Sequence, residues 1–307
     1  MKNGKRWMAA VLCAVLLTGC RAFSQPAGSA EGSAQTEQPE TVTRIPADEL
    51  TFGGCESLSL IGNLAAAAAT GSTVEQAGAA TSFYGTSGEA WQRLLDGELD
   101  VVLAYAPDSE TQAALEAQGI AVQAVGRDAL VFLAGGAQQD VTLTKAELAA
   151  AYQDGAGTWT GYAAAPGSDS RALFADIFGE DRAGVQLGTG EDALTAACPH
   201  TEQTLCYTTY LEMQENGVPQ GTAVVAVDGV LPTAQTLTGA EGGYPLCASY
   251  YIAVRAGLDE REPAMLFYRW VTSERGRQWL AEAADSAKND AHADDTQSAD
   301  HTGSGEG

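Results

Sequence analysis

Residues 84–105 read YGTSGEAWQRLLDGELDVVLAY. Thr86 and Glu89 stand at capping-box spacing, where a hydroxyl and a carboxylate three residues apart answer each other's backbone N–H groups at a helix start. The spacing predicts a helix over Ala90–Leu95 that stops at Gly97. Asp100–Tyr105 (DVVLAY) is then a short apolar run of the kind that forms a buried strand. Helix alternating with buried strand is the signature of an α/β fold with mostly parallel strands.

The same alternation extends in both directions. Leu50–Phe52 reads as a short strand entering a turn at Gly53-Gly54, and Leu58–Ala69 as a helix. Ser109–Gln118 is a helix ended by Gly119, and Ile120–Val125 and Ala129–Ala134 are two strands. Thr144 and Glu147 repeat the capping-box spacing and start a helix through Tyr152. Arg171–Phe178 is helical with Gly179 at its stop, and Ala223–Val227 and Tyr250–Val254 are strands. Glu262–Ala281 is a long terminal helix or helix pair. The chain carries no internal repeat.

The ends have a different character. Lys2, Lys5 and Arg6 precede the apolar run Trp7–Leu17, which at 11 residues is too short to span a bilayer. It reads as the apolar region of a signal peptide. Leu17-Thr18-Gly19-Cys20 follows and resembles a bacterial lipobox. Residues 1–19 are thus expected to be cleaved and Cys20 lipidated, which anchors the chain outside the cytoplasm without a spanning helix. Residues 20–47 are a polar, Ser/Gln/Pro-rich tether, and residues 283–307 a disordered acidic tail.

Composition narrows the function. The chain has 307 residues, 45% hydrophobic, ample for a core. It carries 40 Asp+Glu against 16 Lys+Arg, a net charge of −24, which excludes nucleic acid as a partner, since duplex binding needs clustered cations. Three histidines, His200, His292 and His301, do not build a catalytic metal site, two of them lying near the C-terminus. There is no Gly-x-Ser-x-Gly elbow, P-loop or His-Glu-x-x-His helix, so the sequence points away from an enzyme and to no cofactor. Cys55, Cys198, Cys206 and Cys247 permit two disulfides, with Cys198–Cys206 closing a small loop and Cys55–Cys247 as the long-range pair, or four free thiols. Three connectivities remain open.

Three segments place small residues just before a helix: Gly53–Ser57, Gly85–Gly88 and Gly167–Ser170. The first N–H groups of a helix lack internal partners and carry partial positive charge, so three such starts converging would form an oxyanion-sized socket. The candidate ligand contacts are Cys55, Glu56, Ser57, Thr86, Ser87, Tyr105, Ser168, Asp169 and Ser170. Tyr84 and Trp159 are further cleft candidates, Trp159 reading more simply as packing, as does the strand pair Tyr250-Tyr251.

The order of these segments resembles the phosphate-binding proteins of bacterial ABC transporters, in the periplasmic-binding-protein-like superfamily. The resemblance is carried by Gly53–Ser57, by Leu94–Val102, by Gly126-Arg127-Asp128-Ala129-Leu130-Val131-Phe132, by Val141–Tyr152 with Gly155 and Trp159, by Gly167-Ser168-Asp169-Ser170-Arg171, and by Asp228–Thr233 and Gly243–Leu246. It implies a type II α/β fold of two lobes joined by a two-strand hinge. Lobe 1 is then residues 48–128 plus 240–282 and lobe 2 residues 129–239, with crossings near Arg127–Leu130 and Pro232–Tyr244. The implied function is capture of phosphate or a related small anion in the interlobe cleft and delivery to an ABC permease. The alternative is a diverged sensor or interaction module that has lost phosphate binding. Three departures stand against plain phosphate binding, and the first two favour the alternative. The family's arginine position holds Ala164, its aspartate position holds Tyr105, and the second glycine of its GSGT motif is Asp169. Arg171 or Arg127 is the remaining source of cationic charge, Arg171 reading first as a solvent-facing helix residue.

Overall fold

The computed structural model describes residues 45–136, 141–154, 158–181, 186–187, 203–238 and 243–284. Strand β1 (Phe52–Cys55) leads through a 3-10 turn to α1 (Ser59–Thr70), α2 (Val74–Ala80) and β2 (Ser82–Tyr84). Then come α3 (Ser87–Leu95), β3 (Val101–Tyr105), α4 (Ser109–Ala117) and the long β4 (Val122–Gly135). The chain continues through β5 (Val141–Leu143), α5 (Lys145–Ala149), β6 (Thr160–Ala163), α6 (Asp169–Phe178), β7 (Gln186–Leu187) and β8 (Thr204–Thr209). It closes with α7 (Tyr210–Asn216), β9 (Thr222–Val227), α8 (Ala234–Thr238), β10 (Cys247–Val254) and α9 (Pro263–Thr272), with a last helix over residues 274–284. The signal peptide, Cys20, the tether through residue 44 and the tail from residue 285 onward lie outside the described residues, as do Cys198 and Gly155; the predicted edges of tether and tail are corrected inward, since Ile45 is buried, Ala47 opens a 3-10 turn, and residues 283–284 end the last helix.

The strands form one mixed sheet in the order β2-β1-β3-β10-β4-β8-β6-β7, with β9 paired to β4 and β5 to β9. β1, β2 and β3 are parallel, as are β6 with β7 and β8, and β5 with β9. β10 and β4 are antiparallel to their neighbours, so the sheet is mixed where the alternation of elements predicts a mostly parallel one. The antiparallel strands are those that carry the chain from one half of the molecule to the other and back.

β4 joins the halves. Its first part, Val122–Ala129, pairs with β10, and from Leu130 onward it pairs with β8. The change of partner is braced by the returning chain. The Leu130 N–H donates to the Leu246 carbonyl at 3.0 Å, and the buried Tyr244 hydroxyl donates to the Leu130 carbonyl at 3.0 Å. The sequence reads this strand as two, Ile120–Val125 and Ala129–Ala134, with Gly126 in the gap between them. The glycine serves another purpose: a Cβ at Gly126 would lie 2.0 Å from the Tyr250 ring, which rests on the strand.

Gly53 and Gly54 correct the sequence reading in the same way. They form no turn but lie inside β1, between β2 and β3. A Cβ on Gly53 would meet the Ser82 carbonyl oxygen at 1.9 Å, and one on Gly54 the Leu103 carbonyl oxygen at 2.1 Å. The glycines are there for close backbone approach.

Each half has its own aromatic core. Phe52 packs on Phe83 and Phe267 in the first half, with ring centroids 6.0 and 4.7 Å apart. In the second half Phe132, Tyr152, Phe174, Phe178 and Tyr207 form one contiguous cluster at 4.9–6.4 Å. Trp159 packs against this core as a half-buried residue.

The helix starts follow their caps. Thr144 and Glu147 form a full capping box: Thr144 Oγ1 accepts from the Glu147 N–H at 3.2 Å, and Glu147 Oε2 accepts from the Thr144 N–H at 2.7 Å. Replacing Thr144 by Ala should therefore lower stability by about 1 kcal/mol, read as a shifted urea midpoint at unchanged slope. At Thr86 only half of the box forms. Thr86 Oγ1 accepts from the Glu89 N–H at 3.1 Å, while the Glu89 carboxylate turns to Arg93 at 3.3 Å.

Candidate functional site

Where the two halves of the sheet meet, a cavity of about 440 Å³ opens between the N-terminal ends of α3 and α6. One wall is Thr86, Ser87, Gly88 and Trp91 with the end of β3 and the loop to α4. The opposite wall is α6, through Asp169, Ala172, Leu173, Asp176 and Ile177. Cys247, Ser249 and Tyr251 of β10 complete it. Tyr250, the neighbour of Tyr251, points the other way into the core, as alternation along a strand requires.

Of the nine residues the sequence nominates, Thr86, Ser87, Tyr105 and Asp169 line this cavity. Cys55 does not: it is fully buried at the end of β1, where burial and the neighbouring Asp169 charge push its thiol well up. Glu56 is exposed and Ser57 half-buried in the turn before α1, and neither is among the lining residues. Ser168 spends its hydroxyl on the Ala165 carbonyl at 2.8 Å and on capping α6 at the Arg171 N–H, and Ser170 is buried beside it. The three helix starts thus do not all converge. Two of them do, and the first segment only supports them from beneath. Trp91, Asp108, Thr111, Asp176, Ser249 and Tyr251 were not legible as cavity residues, because each reads locally as packing, cap or surface.

The central contact is between the two surviving helix starts. Ser87 donates its backbone N–H, at the first turn of α3, to Asp169 Oδ1 at 2.8 Å. Ser87 Oγ in turn accepts from the Tyr105 N–H at 3.0 Å. A carboxylate of one half therefore occupies the orphan N–H of a helix in the other, the position where a free oxyanion would be held. Asp169 is 5% exposed, and its second oxygen, Oδ2, is buried without a hydrogen-bond partner among the described residues. Burial pushes the Asp169 carboxyl above its ordinary range, opposed by the hydrogen bonds from Ser87 and from the Cys55 thiol. A second carboxylate crosses the seam nearby: Ser59 at the start of α1 donates to Glu215 of α7 at 3.0 Å.

Beneath the cavity Asp128 fastens the junction. Its Oδ2 accepts from the Tyr105 hydroxyl at 2.5 Å, and its Oδ1 from the N–H groups of Ala129 at 2.7 Å and Leu211 at 3.1 Å. Asp128 is fully buried, and burial pushes its carboxyl up to about 6 against the pull of those bonds. Tyr105 thus does structural duty with its hydroxyl while its backbone edges the cavity.

No arginine is among the described residues lining the cavity, though Arg127 hydrogen-bonds to Cys247 on its wall. Arg171 binds Asp181 at 2.8 Å and the Ala164 carbonyl at 3.2 Å. This overturns its reading as a solvent-facing residue and also holds it away from the cavity. Arg127 is exposed and lines a separate, smaller hollow of about 200 Å³ beside Tyr250 and Arg277. No Lys or Arg is among the described residues lining the main cavity, which carries Asp108, Asp169 and Asp176. Cys55 and Cys247 are free thiols, so the long-range disulfide between them does not form. Cys247 instead donates to the Tyr244 carbonyl at 3.1 Å, and the Cys55 thiol is engaged under Asp169. No group of His, Cys, Asp and Glu among the described residues has the geometry of a metal site, and no described helix is long and apolar enough to cross a membrane.

A family model described as a PBP superfamily domain matches residues 34–275. No curated protein matches the chain in sequence. Among solved structures, the chain is similar to one from Clostridium perfringens with bound phosphate, described as a phosphate ABC transporter substrate-binding protein. The two are 16% identical over 76% of this chain and 97% of that one, with a TM-score of 0.59. An ABC-type phosphate transport receptor from Vibrio cholerae is 15% identical over 76% of this chain and 98% of that one, with a TM-score of 0.55.

Proposed function

Because this chain belongs to the PBP superfamily, we propose that it is an extracytoplasmic solute-binding protein, lipid-anchored at Cys20, that delivers its solute to an ABC permease. The observation that carries this reading is the cavity of about 440 Å³ walled by both halves, at a junction crossed by the shared strand β4. In this reading residues 48–128 with 240–282 form one lobe and residues 129–239 the other. They rotate about Ala129–Leu130 and the Tyr244–Leu246 return. A solute touching both α3 and α6 favours the closed state, since only differential contact shifts such an equilibrium.

Phosphate is the solute of the similar structures, and capture of phosphate or a related anion here requires the Asp169 carboxylate to withdraw from Ser87. That contact favours the second reading, a diverged lipoprotein that keeps the fold and has lost phosphate binding. Thermal unfolding of the lipid-free chain with sodium phosphate, sulfate or molybdate, and with neutral and cationic solutes, separates the two. A true ligand at 100-fold over its dissociation constant adds about 2.7 kcal/mol. Stabilisation by at least one solute is expected, and stabilisation by none leaves only the second reading.

A further inference from the structure

The contact between Asp169 and Ser87 is direct, carboxylate to N–H, and it joins the two halves. Asp169 opens α6 in the second half, and the groups that answer its carboxylate all belong to the first: the Ser87 N–H at 2.8 Å, the Ser87 hydroxyl and the Cys55 thiol. The Ser87 hydroxyl is free to donate that way because its oxygen accepts from the Tyr105 N–H. At 5% exposure the carboxylate is closed off from solvent, so these bonds are made at low dielectric, where charge-assisted hydrogen bonds are strongest. The seam beside them does not pull shut by itself. Burial and the neighbouring negative charges, Glu56 across the seam among them, push the Glu212 and Glu215 carboxyls of α7 up. The Ser59–Glu215 bond is exposed and competes with water.

Resting on the two-lobed solute-binding reading above, we propose that Asp169 is a latch that holds the halves closed by its own bonds to Ser87 and Cys55, with no solute required. The resting chain is then the closed form. A solute enters by displacing a tethered carboxylate from the start of α3, rather than by drawing two open lobes together. Its apparent affinity is lowered by the fraction of time the latch is shut.

Two measurements on the lipid-free, solute-free chain test this. The first is amide hydrogen exchange by NMR. Ser87 and Ser109 are the first residues of α3 and α4, where a helix supplies no partner for the N–H. With the latch shut, the Ser87 amide should exchange at least about ten-fold more slowly than that of Ser109. The second is small-angle X-ray scattering. Asp169→Ala, which puts a strong helix former at the first position of α6, should show a larger radius of gyration than the unmodified chain. Asp169→Asn retains an acceptor for the Ser87 N–H and should stay compact. Sodium formate supplies the carboxylate that Asp169→Ala lacks. It should return that variant to the compact radius where sodium chloride at equal ionic strength does not, and neither salt should move the unmodified chain. A Ser87 amide as fast as that of Ser109, an Asp169→Ala chain as compact as the unmodified one, or formate no better than chloride overturns the latch and leaves solute capture standing. A protected Ser87 amide and an opened Asp169→Ala chain, with neither chain stabilised by any solute, sustains the latch and overturns solute capture. The exchange measurement on the unmodified chain stands whether or not the variants fold.

Discussion

Asp128→Ala should lower the unfolding free energy by about 3–5 kcal/mol and the melting temperature by roughly 10 °C. Asp128 ties β3, β4 and the start of α7 together. Its removal takes this acceptor from two buried backbone N–H groups and leaves the buried Tyr105 phenol with Thr209 as its partner, each lost bond costing about 1–3 kcal/mol, less the relief of a buried charge. Differential scanning calorimetry measures it, and a loss under 1 kcal/mol would show that the junction is held by packing alone.

The same residue gives a pH signature of definite sign. Its folded carboxyl titrates near 6, above the ordinary aspartate value of 3.8, so the folded state binds its proton more tightly than the unfolded chain. Stability from this group therefore rises as pH falls from above 6 towards 4, and is lost as pH climbs back through 6. The amplitude is on the order of 2–3 kcal/mol. Asp128→Asn retains an acceptor for Ala129 and Leu211 but has nothing to titrate. Urea denaturation of both proteins from pH 4 to 7 should give a difference curve that moves in favour of the unmodified chain at low pH. A flat difference would mean that the carboxyl titrates normally. The other carboxylates cancel in the subtraction.

Gly54→Val should abolish soluble expression, or cost more than about 3 kcal/mol where any fold survives. A Cβ there meets the Leu103 carbonyl oxygen at 2.1 Å and the Phe83 ring at 3.2 Å, and backbone does not give way cheaply. β1 lies between β2 and β3, so widening one ladder strains the other. Gly85→Ala, with nothing within 4 Å of its Cβ, should be nearly silent in the same assay.

These residues also mark what sequence can and cannot carry. The caps at Thr86 and Thr144 are local chemistry, a hydroxyl three residues from the N–H it serves, and they are legible directly. Gly53 and Gly54 look like turn residues, and Gly126 like a break between two strands, because the reasons for them lie on other strands: Ser82, Leu103 and Tyr250 are 29, 49 and 124 positions away, a distance no window of sequence contains. The candidate site follows the same division. Ser87 and Asp169 are recognisable as helix-start residues, but that one binds the other is a fact of two halves meeting. Ser168 spends its hydroxyl on capping α6, and Ser170, inside that helix, is buried beside it; neither is among the lining residues. Tyr251 was hidden by its neighbour, since a Tyr-Tyr pair in a strand looks like packing until one knows which face is covered.

The unbroken run of β4 has a mechanical corollary. A ribbon that is laddered on both sides of Leu130 has no slack to spend, so turning one half against the other must be absorbed as extra coil in the ribbon itself. Such a connection behaves as a torsion spring. It sets a resting pose, resists over-rotation in either sense, and recoils when the load is released.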